Sequence, residues 1–426
     1  TVNGNATDVS GFTTAGDSLV LNLLGGNDAV DISTSTLFPG GITIEGGESD
    51  VTGDSVTTMA SGGTIQTLDL SNNRLTGIVG GAITLAGIEV LTISGVDDET
   101  NANNFDVMNY GATTDLLMIN LDAGDNDINA DGDTIDISGT GASDALRFTP
   151  TGARTGRLTR DEGGPTINIS GMNATATLGQ FTVDAGGGTS DSVVIVGSSG
   201  GDTITVLSNG GSLVGVTLAE GSPAVTRLPI DFSRDNVEGL TIIGAGGDDT
   251  LVIAEGAGNL VLLSNDIFYD GGSGDDTLSL TGSTSVDATY SVGPDVTSGT
   301  VTHTIGGNTQ TVRFTGLEPV IDTVPGALTV NATAADNAIS YSEVIAATRG
   351  RIEVDNFERY DFEAKTTVTI NAGAGNDSFS IPNSSAGFSG SLILNGGDPT
   401  GADSLQLSNA DARLVSVATA VTQIPA

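Results

Sequence analysis

The residues best able to do chemistry in this chain are acids that close glycine turns. Gly244-Ala-Gly-Gly-Asp-Asp249 and Gly271-Gly-Ser-Gly-Asp-Asp276 each end in an acid pair, and Gly373-Ala-Gly-Asn-Asp377 is a close variant. Glycine supplies the positive φ of a tight turn, and the carboxylates that follow are hard oxygen ligands suited to calcium. The plain alternative is that Asp and Asn simply bond their own turn backbone. The densest acidic stretch is Leu121–Ser138, where Asp127, Asn129 and Asp131 precede Gly132 as in a D-x-N-x-D-G calcium loop. Ile135 and Ser138 stand where that loop needs its later ligands, so no bidentate Glu completes it. The predicted metal ligands, all for Ca2+, are Asp125, Asp127, Asn129, Asp131, Asp133, Asp248, Asp249, Asp275, Asp276, Asn376 and Asp377.

Other chemistry is thinly supplied. There is no cysteine and a single histidine, His303, inside the alternating run Val301-Thr-His-Thr-Ile305, where it reads as an exposed strand residue. The single lysine, Lys365, follows no glycine loop and so makes no phosphate site. An Arg base at Arg349, Arg351 or Arg359 would suit a β-helix polysaccharide lyase, but Arg351 has a repeat counterpart in Arg227, which points to a structural ion pair. The chain is therefore expected not to be an enzyme.

The elements that position the acids are strands. Leu240 and Ile242 alternate before the first acid pair, Leu251 and Ile253 after it, and the period of two marks half-buried strands. Strand–turn–strand blocks recur near residues 17–58, 88–138, 237–282 and 366–409. Asn27-Asp28 and Asn376-Asp377 lie 349 apart, as do Asp54 and Asp403. Such a constant offset argues for repetition rather than shared composition. Gly87-Ile-Glu-Val-Leu-Thr-Ile93 parallels Asn236-Val-Glu-Gly-Leu-Thr-Ile242, and Asp144–Thr149 parallels Asp287–Val292. The expected organisation is an irregular first region at 1–143, compound repeats at 144–286 and 287–410, and a C-terminal strand at 411–426 that resembles the opening of a further copy and is expected to be donated to a neighbouring subunit.

Composition sets limits. Gly is 62 of 426 residues and aromatics are 4%, so the core is expected to be aliphatic and thin. The net charge of −40 comes mainly from Asp, and four of the few arginines (Arg147, Arg154, Arg157, Arg160) fall together. That balance excludes nucleic acid as a partner, while the arginine patch suits an acidic neighbour or an anionic surface polysaccharide. No run approaches the ~20 apolar residues of a membrane span. The chain opens at Thr1 without Met and reads as processed or as part of a longer one.

The turns at 271–278 and 373–379 resemble the GGxGxDxUx nonapeptide of RTX-like repeats, which occur in secreted toxins, adhesins and giant bacterial surface proteins. The resemblance implies a secreted, calcium-linked, structural protein. The turns lie ~20–30 residues apart rather than in tandem at nine, so a regular β-roll is not expected.

Together these readings predict an all-β, elongated repeat protein. A right-handed parallel β-helix or solenoid is favoured, with tandem β-sandwich domains as the alternative because 287–320 reads as antiparallel hairpins. The expected function is extracellular scaffolding: a subunit of a fibre, surface layer or matrix, assembled head-to-tail through the N- and C-terminal regions and rigidified by calcium. An adhesin or carbohydrate-binding stalk is the alternative.

Overall fold

The computed structural model describes residues 16–424 apart from 33–37, 48–52, 61–62, 79–80, 96–101, 125–131, 173–179, 209–211, 222–223, 257–258, 346–348, 382–389, 398–401, 408–415 and 419–421. The alternating sequence does form strands. Among the described residues there are thirty-eight strands and no α-helix. The strands belong to two large mixed sheets. Scarcity of good helix formers and abundance of Thr, Val and Ile explain the choice. Thr250–Glu255 is representative: Leu251 and Ile253 are fully buried while Thr250 and Val252 are half-buried.

The chain separates into two compact units, one of residues 1–196, 215–218 and 223–238, the other of 197–214, 219–222 and 239–426. The expected boundaries after 143 and 286 fall inside these units. Strand pairing explains why. Met118–Asp122 pairs in register with Thr166–Ser170 across the first boundary, and Thr277–Gly282 pairs with Val320–Asp322 across the second.

Within each unit the chain passes from one sheet to the other and back. In the first unit Leu19–Asn22, Ile42–Glu45 and Ile83–Ala86 stack in parallel. The strands between and after them, Ala29–Ile32, Ser55–Met59, Val90–Ser94 and Met118–Asp122, stack in parallel in the other sheet. In the second unit Thr250–Glu255, Thr277–Gly282, Val320–Asp322 and Tyr360–Phe362 form one such ladder. Registers place like on like: Leu251 opposite Leu278, Ile253 opposite Leu280. Amide side chains form columns too, with Asn395 donating to Asn371 (2.7 Å) and Asn371 to Asn331 (2.8 Å).

The hairpins that suggested a sandwich are spliced into these ladders. Ala145–Gly152, Thr155–Arg160 and Thr166–Ser170 form an antiparallel meander in the first unit; Asp287–Val292, Gly299–Ile305 and Asn308–Thr315 form its counterpart in the second. The outer strands of each meander pair in parallel with neighbouring rungs, Ala145–Gly152 with Ser192–Val196 and Asp287–Val292 with Gly326–Asn331. A third meander, Ala338–Ile345, Arg349–Val354 and Tyr360–Phe362, lies in the other sheet of the second unit. Each middle strand has a glycine at its first or second position set against an aromatic ring. Phe148 lies over Gly156, Phe314 and Tyr290 over Gly299, and Phe362 over Gly350, where a Cβ would overlap the ring.

The core is mainly aliphatic, as expected, although most of its largest fully buried side chains are aromatic, including Tyr110, Phe148, Tyr269, Tyr290 and Tyr360. Phe148 packs on Phe181 at 4.9 Å and Tyr290 on Tyr360 at 4.8 Å between ring centres. The few aromatic residues are concentrated where meanders must be filled.

The C-terminal stretch also departs from expectation. Ser416–Ala418 pairs in parallel with Ser391–Asn395, and Thr422–Ile424 with Ser404–Leu407, so these strands add to their own chain. No helix among the described residues is long and apolar enough to cross a membrane.

Candidate functional site

The acid pairs of the glycine turns divide by depth. The second member, Asp249, Asp276 or Asp377, is buried, whereas the first member, Asp248, Asp275 or Asn376, is exposed. The strand alternation that follows each turn sets this phase. Asp249 lies two residues before Leu251 and shares its inward face.

The buried members form rows that run from rung to rung. In the second unit the Asp202 backbone N–H donates to Asp249 Oδ1 (2.7 Å), the Asp249 N–H to Asp276 Oδ1 (2.8 Å), and the Asp276 N–H to Glu318 Oε2 (3.3 Å). A second row links Asn337 to Asp377 (2.8 Å) and Asp377 to Asp403 (3.0 Å). The first unit repeats the device. Asp28 donates to Asp54 (2.7 Å) and Asp54 to Glu89 (2.6 Å); Asp144 donates to Asp191 (2.6 Å) and Asp191 to Glu238 (2.7 Å). Asp133, one of the predicted ligands, accepts the Asn103 N–H at 2.6 Å. Each such bond satisfies a turn N–H that the strand ladders do not reach, and it is charge-assisted.

In Asp144 and Asp202 the second carboxylate oxygen folds back over the turn. Asp144 Oδ2 accepts the Thr140 N–H (2.9 Å) and Asp202 Oδ2 the Ser198 N–H (2.6 Å). These oxygens occupy the space of a missing side chain, since a Cβ on Gly139 would lie 2.7 Å from Asp144 Oδ2 and one on Gly197 2.8 Å from Asp202 Oδ2. The glycine before each of these turns is thus needed for close approach.

The exposed members run the other way. The Asp275 N–H donates to Asp248 Oδ1 (3.0 Å), the Asn376 N–H to Asp336 Oδ1 (2.8 Å), and the Ala402 N–H to Asn376 Oδ1 (2.9 Å). Inner carboxylates reach the preceding rung and outer ones the following rung.

Stacked buried acids perturb one another. Burial pushes the Asp249 carboxyl up to about 7; the Asp202 N–H opposes this, and the charges of Asp276, Asp202 and Asp248 add to it. Burial likewise raises Asp191, Asp276 and Asp377.

Whether these residues fit calcium can be tested on their geometry. One oxygen of Asp54, Asp249, Asp276 and Asp377 is taken by a backbone N–H, and the other is buried without a hydrogen-bond partner, which leaves the outer row as the place with oxygens facing solvent. Among the described residues no three His, Cys, Asp or Glu side chains are grouped to hold a metal ion. Asp125, Asp127, Asn129 and Asp131 lie outside the described residues.

A second polar site lies in the core of the second unit, and it overturns the reading of His303 as exposed. His303 is 1% exposed. Its Nδ1 lies 2.5 Å from Glu255 Oε1 and its Nε2 3.3 Å from Asp322 Oδ2. Lys365 Nζ reaches the same Asp322 Oδ2 at 2.6 Å and donates to the Val324 carbonyl at 2.5 Å. Tyr360 Oη donates to Asp322 Oδ2 (2.6 Å), and Gln310 Nε2 to Glu255 Oε1 (2.8 Å). The only histidine and the only lysine of the chain therefore meet two buried acids in one neutral cluster. Burial alone would lower the His303 pKa, but the bonds and charges of Asp322 and Glu255 raise it to about 9. Burial would raise Asp322, yet His303 and then Lys365 hold it down to about 2. The phase of Val301-Thr-His-Thr-Ile305 carried the signal, since His303 shares the face of buried Val301. Polarity suggested the opposite face.

The arginines are largely committed. Arg351 makes a two-point pair with Asp361 (2.7 and 2.9 Å), as its repeat position suggested, and Arg349 a two-point contact with Glu363 (3.0 and 2.7 Å). The Asp361 contact raises the Arg351 pKa, the reverse of what a general base requires. In the patch at 147–160, Arg160 is bound to buried Asp144 at 2.5 Å, Arg147 lies 3.4 Å from Asp161, and Arg154 donates to the Met172 carbonyl. Compared with known proteins, the chain matches no family model, no curated protein and no solved structure.

Proposed function

We propose that this chain is an extracellular structural repeat protein, a subunit of a fibre, surface layer or matrix. In this reading each unit winds as a right-handed parallel β-helix interrupted by meanders. Support comes from strands that alternate between two sheets while pairing in parallel with the next rung, and from the right-handed preference of such crossovers. The observation that carries the reading is the inner row: rung after rung, a backbone N–H is bonded to the buried acid of its neighbour. Such rows serve stiffness and register rather than turnover, because their acids are buried beneath the turns. Copies are proposed to meet through their N- and C-terminal regions.

Calcium enters this proposal at the outer row, with Asp248 and Asp275, and Asp336 with Asn376, offering exposed oxygens on successive rungs. Electron microscopy of the purified chain, with calcium and with a chelator, tests the function. Calcium-dependent filaments or sheets are expected. Monodisperse particles under both conditions would overturn the assembly reading and favour an adhesive stalk.

A further inference from the structure

A buried lysine gives up full hydration for whatever contacts the core provides, and an ion pair there breaks even at best. Lys365 is 5% exposed, and Asp322, its partner, is fully buried. The way the Asp322 carboxylate is held goes beyond an ion pair. Oδ1 accepts the Val324 backbone N–H at 2.8 Å, a donor aimed where an oxyanion would be stabilised. Oδ2 faces Tyr360 Oη at 2.6 Å, His303 Nε2 at 3.3 Å and the Lys365 amine itself at 2.6 Å. His303, backed by Glu255, is a proton donor within reach of that same oxygen. A nucleophile, an oxyanion donor and an acid for the departing oxygen thus surround one carboxyl carbon where bulk water is excluded.

We propose that Lys365 and Asp322 condense to an intramolecular isopeptide bond. The bond staples strand Val320–Asp322 of one sheet to strand Lys365–Asn371 of the other. The resting pair is ionic, so the first step is the uphill transfer of a proton from Lys365 Nζ to Asp322 Oδ2. The neutral amine then attacks Cγ, and the carbonyl electron pair moves onto Oδ1 beneath the Val324 N–H. Protonated His303 gives its Nε2 proton to Oδ2, the Cγ–Oδ2 bond breaks, and water leaves as the carbonyl re-forms. Nζ returns one proton to His303 and keeps one as the amide N–H. An ammonium and a carboxylate become an amide and one water, with no oxidant or reductant. Two buried charges disappear, which removes the desolvation cost that opposes the ion pair. His303 and Glu255 remain as a balanced pair.

Intact-mass spectrometry of the purified chain reads this directly. A deficit of one water, about 18 Da, is expected, with the peptides that carry Asp322 and Lys365 joined and tryptic cleavage after Lys365 lost. Lys365→Arg is expected to restore the full sequence mass, which separates the bond from water loss at an Asp-Gly or Asn-Gly site. Glu255→Gln is expected to slow the appearance of the deficit, since it weakens the hold on the His303 proton. A folded wild-type chain that keeps its full sequence mass on prolonged incubation would overturn the proposal, as would a deficit that persists in Lys365→Arg.

Discussion

The two meanders that occupy the same sheet position solve one packing problem in two ways. Both middle strands have a glycine near their start under an aromatic ring, Gly156 and Gly299, and place an apolar residue two positions later, Leu158 and Val301. Four positions after the glycine the first strand has Arg160 and the second His303. Arg160 stands at the rim, its side chain 11% exposed, and neutralises the inner-row acid Asp144. His303 is fully enclosed between two acids that belong to no inner row, and a second cation, Lys365, balances them. A rim cation can be supplied singly because water screens the remainder. A core cation requires matched charges on every side.

The largest effect that separates the two is expected from removing a cation. Whether it replaces the ion pair or the condensed amide, Lys365→Met leaves Asp322 and Glu255 buried with only His303 and should cost about 3–5 kcal/mol in denaturant unfolding. Arg160→Met leaves Asp144 with its Thr140 bonds and should cost about 1–3 kcal/mol. Equal losses would show that the two slots do not differ in kind.

Titration comes next. The folded His303 pKa is raised to about 9, so its stabilising share is complete below its unfolded value of roughly 6.5 and is lost as pH rises through 9. The raised Asp249 pKa has the same sign: the folded state holds that proton more tightly, so stability falls as pH rises from about 4 through 7. His303→Gln should flatten the alkaline limb, and Asp249→Asn the limb below it, each by on the order of 1–3 kcal/mol. Melting temperature against pH for the two variants decides this.

Glycine substitution should affect both meanders alike. Gly156→Ala and Gly299→Ala each press a methyl group into a buried ring and should cost about 1–3 kcal/mol. A neutral result at either would mean that the ring moves freely aside. The smallest effect is expected at the outer row, where Asp248→Asn without calcium should lie within about 0.5 kcal/mol of wild type.

Much of this was legible in the chain. Alternation placed the strands, and the constant offset was structural: Asp28 bonds Asp54 through the same N–H to carboxylate contact by which Asp377 bonds Asp403. The parallel between Glu89 and Glu238 was also real, since each ends an inner row. What the alignment withheld was the role. An acid after a glycine turn looks alike whether it faces a cation or the N–H of the previous rung, and only stacking distinguishes them. The inner-row contacts join residues 26 to 47 apart, so no local pattern announces them. The His303–Lys365 cluster was hidden for the same reason: its members come from six strands, and each reads locally as an ordinary strand residue.

The inner row is the central claim, and amide hydrogen exchange tests it most directly. The N–H groups of Asp28, Asp202, Asp249 and Asn337 lie at the junctions of turn and strand, yet each is bonded to a buried acid. Protection comparable to that of the strand amides of Leu251 and Leu278 is expected, with Asp276→Ala releasing Asp249 selectively. Exchange of these amides at the rate of exposed, unbonded turn residues would contradict the inner row and the scaffold built on it.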